Sequence, residues 1–295
     1  MLESLHFHTP VSGAPQRVVI LTDAASFGAY FSERYSLPNL ELEFRVIDPT
    51  NLSGLPIYGH VGLMTYVRLL MESTGICPED RVLYLDADIL VRKPLDHLFI
   101  TIERQTCALT AVRELSTYTV AGRGGVFDWA ERKLSPEQPY FNAGVLGLNM
   151  ERVRSTKAFS RALDYLIKNG RKVILWDQGA LNAILGHDTQ LLPVIWNFTS
   201  SALYRSSHHS GEILPALQDV VIAHFTGSGA SKPWHINSTS PFAIEYRRYL
   251  GLTGTIPITN TRLEKLLGER AASYLRDVLA LIKNSPKYRR SFRLR

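Results

Sequence analysis

Short β-branched apolar runs alternate with segments of helical period along most of the chain. QRVVILTD (16–23) and LELEFRVID (40–48) read as strands closed by acids, with FGAYFSERY between them reading as a helix. VGLMTYVRLLMEST (61–74) predicts a helix with Leu63, Val67, Leu70 and Met71 on one face and Gly75 at its C-terminal cap. RVLYL (81–85) is an uninterrupted apolar run, the pattern of a strand buried on both faces. CALTAVR (107–113) and YFNAGVLGLN (140–149) are further strands, and they flank a stretch from Glu114 to Pro139 with no clean period. Residues 156–169 predict an amphipathic helix through Phe159, Ala162, Leu163, Leu166 and Ile167, stopped by Gly170; DQGALNAIL (177–185) predicts a shorter helix with Asp177 as its cap. DVVIAHF (219–225) is the last clear strand before the loop TGSGASKPWH. Such alternation implies an α/β fold with a mainly parallel sheet flanked by helices, whose ligands collect beyond the strand ends.

Composition leaves this picture unchanged. With 295 residues, 45% apolar and 20% charged, the chain has the balance of a globular enzyme and excludes disordered or collagen-like readings. Cys77 and Cys107 stand alone, without the spacing of a disulfide framework or a zinc cage, which points to a reducing compartment. No apolar run approaches the ~18 residues of a membrane span, and the start MLESLHFHTP lacks the regions of a signal peptide, so a cytoplasmic protein is expected.

Charge adds one feature. Residues 262–295 hold ten Lys/Arg against three acids, a net of +7, out of 33 basic and 27 acidic residues in all. The remaining 23 basic and 24 acidic groups nearly cancel, which argues against a nucleic-acid-binding face. The chain therefore divides into a domain over 1–255 and a basic amphipathic helix and tail over 256–295. Leu263, Leu266, Leu267, Tyr274, Leu275, Val278 and Ile282 recur at helical spacing before KYRRSFRLR. That composition suits an anchor on an anionic membrane surface, at about 1 kcal/mol per basic residue. Packing of the same apolar stripe against the body is the alternative.

Three segments carry candidate chemistry. Asp86 and Asp88 follow the RVLYL run; two residues apart on extended backbone, their carboxylates would face one side and share a divalent cation, although a D-x-D triplet also occurs as solvated loop acids. His224 ends a strand ahead of Gly227, Gly229 and Lys232. The glycines let backbone N–H groups approach an anion, Lys232 offers a compact charge to phosphate, and a neutral imidazole suits Mn²⁺. A flexible loop beside a core histidine fits the same residues. In YFNAGV and WDQGALN, Asn142 offers a donor and an acceptor beside the small Ala143 and Gly144, and Asp177 and Gln178 open a helix where they could face a sugar; an N-cap at Asp177 and a bulge at Gly144 are the plainer options.

LYLDADILV, YFNAGVLGLN, WDQGALN and AHFTGSGASKPWH occur together in the order and spacing of glycosyltransferase family 8. Over roughly residues 17–240 the chain resembles the bacterial lipopolysaccharide galactosyl- and glucosyltransferases and, more distantly, glycogenin. The resemblance implies a GT-A-type nucleotide-sugar fold, a UDP-sugar donor, a saccharide acceptor such as a lipid-linked glycan, Mn²⁺ (with Mg²⁺ as the alternative), and retention of anomeric configuration. By position, Asp86, Asp88 and His224 match the metal ligands, and Gly227 and Lys232 the diphosphate cradle. Arg68, Ala87, Asn142 and Gly144 match donor contacts, with His60 and Thr65 as weaker ones. Asp177 and Gln178 match the catalytic surroundings of the transferred sugar. The tail resembles the membrane-attaching end of the lipopolysaccharide enzymes and implies a place on the cytoplasmic face of the membrane.

Two departures from the family pattern stand out. Leu2–Leu5 match the end of the helix that follows the family's first strand and uridine loop, so that strand is expected to be missing. A truncated, catalytically weak protein acting as a peripheral membrane scaffold is therefore the competing function. Gly179 stands where many relatives carry a second acid. Acceptor contacts are expected from Glu114–Pro139 and Asn197–Gly211, where Trp129, Tyr204, His208 and His209 could meet a sugar.

Overall fold

The computed structural model describes residues 1–252 apart from 12, 58–61, 118, 200–209, 236–237 and 239. His60, Tyr204, His208, His209, the boundary at 255/256 and the basic tail lie outside the described residues. In chain order the elements begin with α1 (Leu2–His8), β1 (Gln16–Thr22), α2 (Phe27–Arg34), β2 (Leu40–Val46), β3 (Arg81–Leu85), β4 (Ile89–Val91), α3 (Asp96–Arg104) and β5 (Leu109–Arg113). They continue with β6 (Phe141–Asn149), α4 (Met150–Thr156), α5 (Ala158–Asn169), α6 (Trp176–Leu185), β7 (Thr189–Leu192), β8 (Phe198–Thr199), α7 (Ser210–Asp219), β9 (Ile222–His224) and α8 (Ala243–Leu252). The described residues fall into two compact units: one comprises 9–86 and 94–193, the other 1–8, 87–93 and the described residues from Val194 onward.

In the larger unit β1 and β2 form a parallel pair, and a second sheet runs in the order β3-β6-β5-β7. β6 is buried at every position because it has a strand on each side and helices against it. A Cβ at Gly147 would collide with Thr110 and Ile102, so glycine lets α3 pack directly on this strand. Phe141, Leu146, Leu148, Phe159, Leu166 and Leu181 are fully buried in the core, each contributing roughly 1.5–3 kcal/mol.

The smaller unit holds the sheet β4-β9-β8, with Ile89 opposite His224 in an antiparallel ladder and Phe198 beside Ala223 in a parallel one. Ser4 of α1 accepts the Val91 N–H at 3.1 Å, and Arg92 pairs with Glu245 of α8 at 2.8 Å.

The α/β class is as expected, with mixed sheets. Among the six ladders of the described residues, β1/β2, β5/β7 and β8/β9 are parallel, and β3/β6, β5/β6 and β4/β9 antiparallel. Antiparallel return is the outcome where no crossover helix intervenes, as in the helix-free stretch between β5 and β6.

Several local expectations change. The 61–74 segment is a 3₁₀ helix, Leu63–Glu72, whose three-residue turn aligns the buried Tyr66 and Leu69 and carries Arg68 inward. Ser73 ends it in extended conformation, so Gly75 lies in the following turn and is not its cap. The 156–169 helix is broken at Lys157 (φ 51°) into α4 and α5, and Ile167 is exposed. β9 is shorter than the 219–225 run because α7 extends to Asp219. The pattern did not mark α3 or α7.

Candidate active site

In the larger unit, β3 delivers Asp86 just beyond its last residue. The Asp86 N–H donates to the Gly144 carbonyl at 2.8 Å, continuing the β3/β6 ladder one step past Leu85 and Val145. Because that ladder is antiparallel, the C-terminal end of β3 meets the N-terminal end of β6. Asn142, Ala143 and Gly144 thus arrive beside Asp86 from the N-terminal end of their strand.

Arg68 organises this cluster from a buried position. Its Nη2 donates to Asp86 Oδ1 at 2.8 Å, Nε lies 2.9 Å from Asp177 Oδ2, and Nη1 donates to the Ala143 carbonyl. Its guanidinium lies 4.6 Å from the Tyr84 ring centroid, and the Tyr84 hydroxyl donates to Asp86 Oδ1 at 2.9 Å. Burial pushes the Asp177 carboxyl up to about 6, with the Arg68 charge opposing the rise and the Asp86 charge adding to it. Burial likewise lifts the Tyr84 phenol well above its usual range.

Asp177 is therefore a buried counter-ion of Arg68 and not a helix cap; Leu175 takes the N-cap position of α6 and makes no side-chain cap bond. Immediately before it, Trp176 sits at φ 47°, a left-handed conformation that a bulky residue adopts at a cost of order 1–3 kcal/mol. Gln178 Oε1 accepts the Ala143 N–H at 3.0 Å, and Nε2 donates to Glu114 at 3.3 Å. At Gly179 a Cβ would lie 2.7 Å from Val173 Cγ1, so a larger side chain there would require Val173 to shift. Thr65 is half-buried in the 3₁₀ helix, where its N–H bonds the Gly62 carbonyl.

The smaller unit holds the other candidates. Ala87 and Asp88 form a turn ahead of β4, which corrects the extended backbone expected for the D-x-D triplet. The Asp88 carbonyl accepts the Phe225 N–H at 3.0 Å, fixing the turn against the end of β9. Asp88 Oδ1 lies 3.3 Å from His224 Nε2, and Lys232 Nζ donates to Asp88 Oδ2 and, at 2.7 Å, to the Phe225 carbonyl. Burial raises the Asp88 carboxyl, but the hydrogen bond and charge of His224 and the charge of Lys232 outweigh it. The group is held well below the usual carboxylate range.

His224 is buried, and its Nδ1 bonds Asn197 Oδ1 at 2.9 Å. An amide oxygen only accepts, so Nδ1 carries a proton, and Nε2 is the ring atom turned to Asp88. Gly227 (φ 88°) opens the loop, and a Cβ there would lie 2.9 Å from Ser231 Oγ.

Sequence reasoning missed Asn197, Tyr84 and Glu114 as members of these clusters. Glu114 follows a strand directly, the same positional signal that marked Asp86. Asn197 carries no local signal.

The family model described as glycosyl transferase family 8 matches residues 32–238. General stress protein A of Bacillus subtilis (strain 168) is 24% identical over 243 residues, 76% of this chain and 77% of its own length. The lipopolysaccharide 1,3-galactosyltransferase of Salmonella typhimurium (strain LT2) is 27% identical over 199 residues, 64% of this chain. The chain spans about half, 55%, of that relative's length. The solved structure of galactosyltransferase LgtC in complex with donor and acceptor sugar analogs aligns with a TM-score of 0.66 at 22% identity, covering 90% of this chain and 93% of that one. The likeness shows a shared GT-A-type fold.

Proposed function

The chain belongs to glycosyl transferase family 8, and we propose that it moves a hexose, galactose or glucose, from a UDP-sugar to a saccharide acceptor with retention of anomeric configuration. Asp86, Asp88 and His224 are the proposed ligands of a divalent cation, Mn²⁺ or Mg²⁺. The observation that carries this reading is the Asp88–His224 pair. The Asn197 bond to Nδ1 fixes the ring with Nε2 turned to the Asp88 carboxylate, where a divalent cation would take the place of a shared proton, and such outer partners are what metal-binding imidazoles need. Asp86 is joined to Asp88 through one residue and adds a second hard oxygen donor. Two carboxylates and an imidazole suit Mn²⁺ better than Mg²⁺.

When bound, the cation would neutralise the diphosphate and draw charge from the departing nucleotide. Lys232, held by Asp88 and the Phe225 carbonyl, would meet a phosphate oxygen as a fixed ammonium, and Gly227 would let the backbone approach it. Arg68, Ala87, Asn142 and Gly144, with His60 and Thr65, are the proposed donor contacts. Asp177 and Gln178 are the proposed catalytic residues beside the sugar. Either frontal attack by the acceptor hydroxyl or a transient bond to a side chain near Gln178 is consistent with retention.

The acceptor we propose is a lipid-linked glycan, lipopolysaccharide being the substrate named for one relative. The basic tail would hold the enzyme on the cytoplasmic face of an anionic membrane. No helix among the described residues is long and apolar enough to cross one.

The test is incubation with UDP-galactose or UDP-glucose, Mn²⁺ and oligosaccharide acceptors, following UDP release and the linkage by NMR. An α-linked product from an α-configured donor is expected. Folded protein that releases no UDP would favour the inactive scaffold, and a β-linked product would remove retention.

A further inference from the structure

We infer that Glu114 is a positioning residue, a buried carboxylate that fixes the side-chain amides of Gln178 and Asn142. Its role in transfer rests on the function proposed above. Glu114 follows β5 directly and is 6% exposed. Oε2 accepts from Asn142 Nδ2 at 2.8 Å and from Gln178 Nε2 at 3.3 Å. Oε1 accepts from the Ser116 N–H and the Ser116 hydroxyl, both at 2.9 Å. All four partners are donors, and none is a cation.

An ionised carboxylate can only accept, so both NH₂ ends must turn toward it. The oxygens then have one direction each: Gln178 Oε1 accepts from the Ala143 N–H at 3.0 Å and Asn142 Oδ1 from the Gly144 N–H at 2.9 Å. A carboxamide alone could flip at little cost. Here each amide is bracketed by an acceptor on one side and a backbone donor on the other, and a flip would set like against like at both ends.

Charge-assisted bonds of this kind are roughly twice as strong as neutral ones, and a negative charge behind the NH₂ polarises the amide and enriches its oxygen. Glu114 thereby holds Gln178, the side chain proposed beside the reacting sugar, in one rotamer with a more electron-rich oxygen. A residue kept only to close the turn at Ser116 would need the two Oε1 bonds alone.

Glu114→Gln removes the charge and one of the two accepting oxygens: with its oxygen at Ser116 it presents NH₂ to both amides, and with its oxygen toward the amides it presents NH₂ to the Ser116 N–H, so the charged clamp on both ends is lost. We expect unmodified protein to show two shifted, slowly exchanging carboxamide pairs in ¹H–¹⁵N spectra, lost respectively in Asn142→Asp and Gln178→Glu. Both should return to ordinary positions in Glu114→Gln. Affinity for UDP with Mn²⁺ should stay within about twofold, kcat should fall about 30–100-fold, acceptor KM should change little, and Glu114→Asp should recover part of the loss. Unperturbed carboxamides in Glu114→Gln would overturn the clamp. An unchanged kcat, or a raised acceptor KM at unchanged kcat, would overturn the positioning role. If unmodified protein transfers no sugar, the proposed function fails separately and the spectra alone decide the clamp.

Discussion

Asp88→Asn is expected to lower Mn²⁺-dependent UDP release about a thousandfold, the loss typical when a main electrostatic stabiliser is removed. Asp88 touches both neighbours that matter: Oδ1 lies 3.3 Å from His224 Nε2, and Oδ2 accepts from Lys232. The amide preserves shape but removes the negative charge. A proposed cation would lose an anionic ligand, and the Lys232 ammonium would lose the partner that holds it in place. The turn itself depends on the Asp88 carbonyl and the Phe225 N–H, which the substitution leaves untouched. The variant should therefore fold, with a melting temperature lowered by the loss of a charge that His224 and Lys232 stabilise. Turnover at the original rate would remove Asp88 from the ligand set.

Arg68→Met should produce the largest loss of stability. The guanidinium serves Asp86, Asp177 and the Ala143 carbonyl from a position 5% exposed, and Asp177 is 4% exposed. Methionine fills much of the volume but leaves two carboxylates without their cation, a change that costs about 3–5 kcal/mol in buried pairs. For a chain of this size that corresponds to a fall in melting temperature of about 10 °C.

The loss should shrink in acid, and the direction follows from the carboxyl that burial pushes up to about 6. Asp177 binds its proton more tightly in the folded than in the unfolded protein. Its contribution is therefore most favourable below the unfolded value near 4 and is lost as pH rises through 6. Without Arg68 that carboxyl rises further, because Arg68 opposes burial while Asp86 adds to it. Melting curves at pH 7.5 and 5.5 check both statements; a deficit no smaller at pH 5.5 would show that Asp177 is not the group left stranded.

How much of this was legible depended on the range of the interaction that fixes each part. β3 was legible as a strand from the apolar Val82–Leu85, but the expected burial on both faces was not met: it is the end strand of its sheet and half-buried throughout. Asp86, Asp88 and His224 were legible from their places beside strand ends. The 3₁₀ helix was not, because over ten residues an apolar spacing of three and one of 3.6 differ little. Tyr66, Arg68 and Leu69 decide the matter through contacts outside the segment.

Asp177 shows a different failure. An acid opening a helix is the local signature of a cap, and the same pattern serves a buried counter-ion whose cation lies more than a hundred residues away. Glu114 and Asn197 were illegible for a related reason. Glu114 stands beside a strand end as Asp86 does, but its pairing with Asn142 and Gln178, like that of Asn197 with His224, reaches distant residues that nothing in the neighbouring sequence marks.

The central claim is that a divalent cation held by Asp86, Asp88 and His224 grips the donor's diphosphate. Calorimetric titration of the unmodified protein with UDP, once with Mn²⁺ and once with a chelator, tests it most directly. The account predicts binding at least about tenfold tighter with the metal, a difference of about 1.4 kcal/mol. Equal affinity in the two titrations would contradict it.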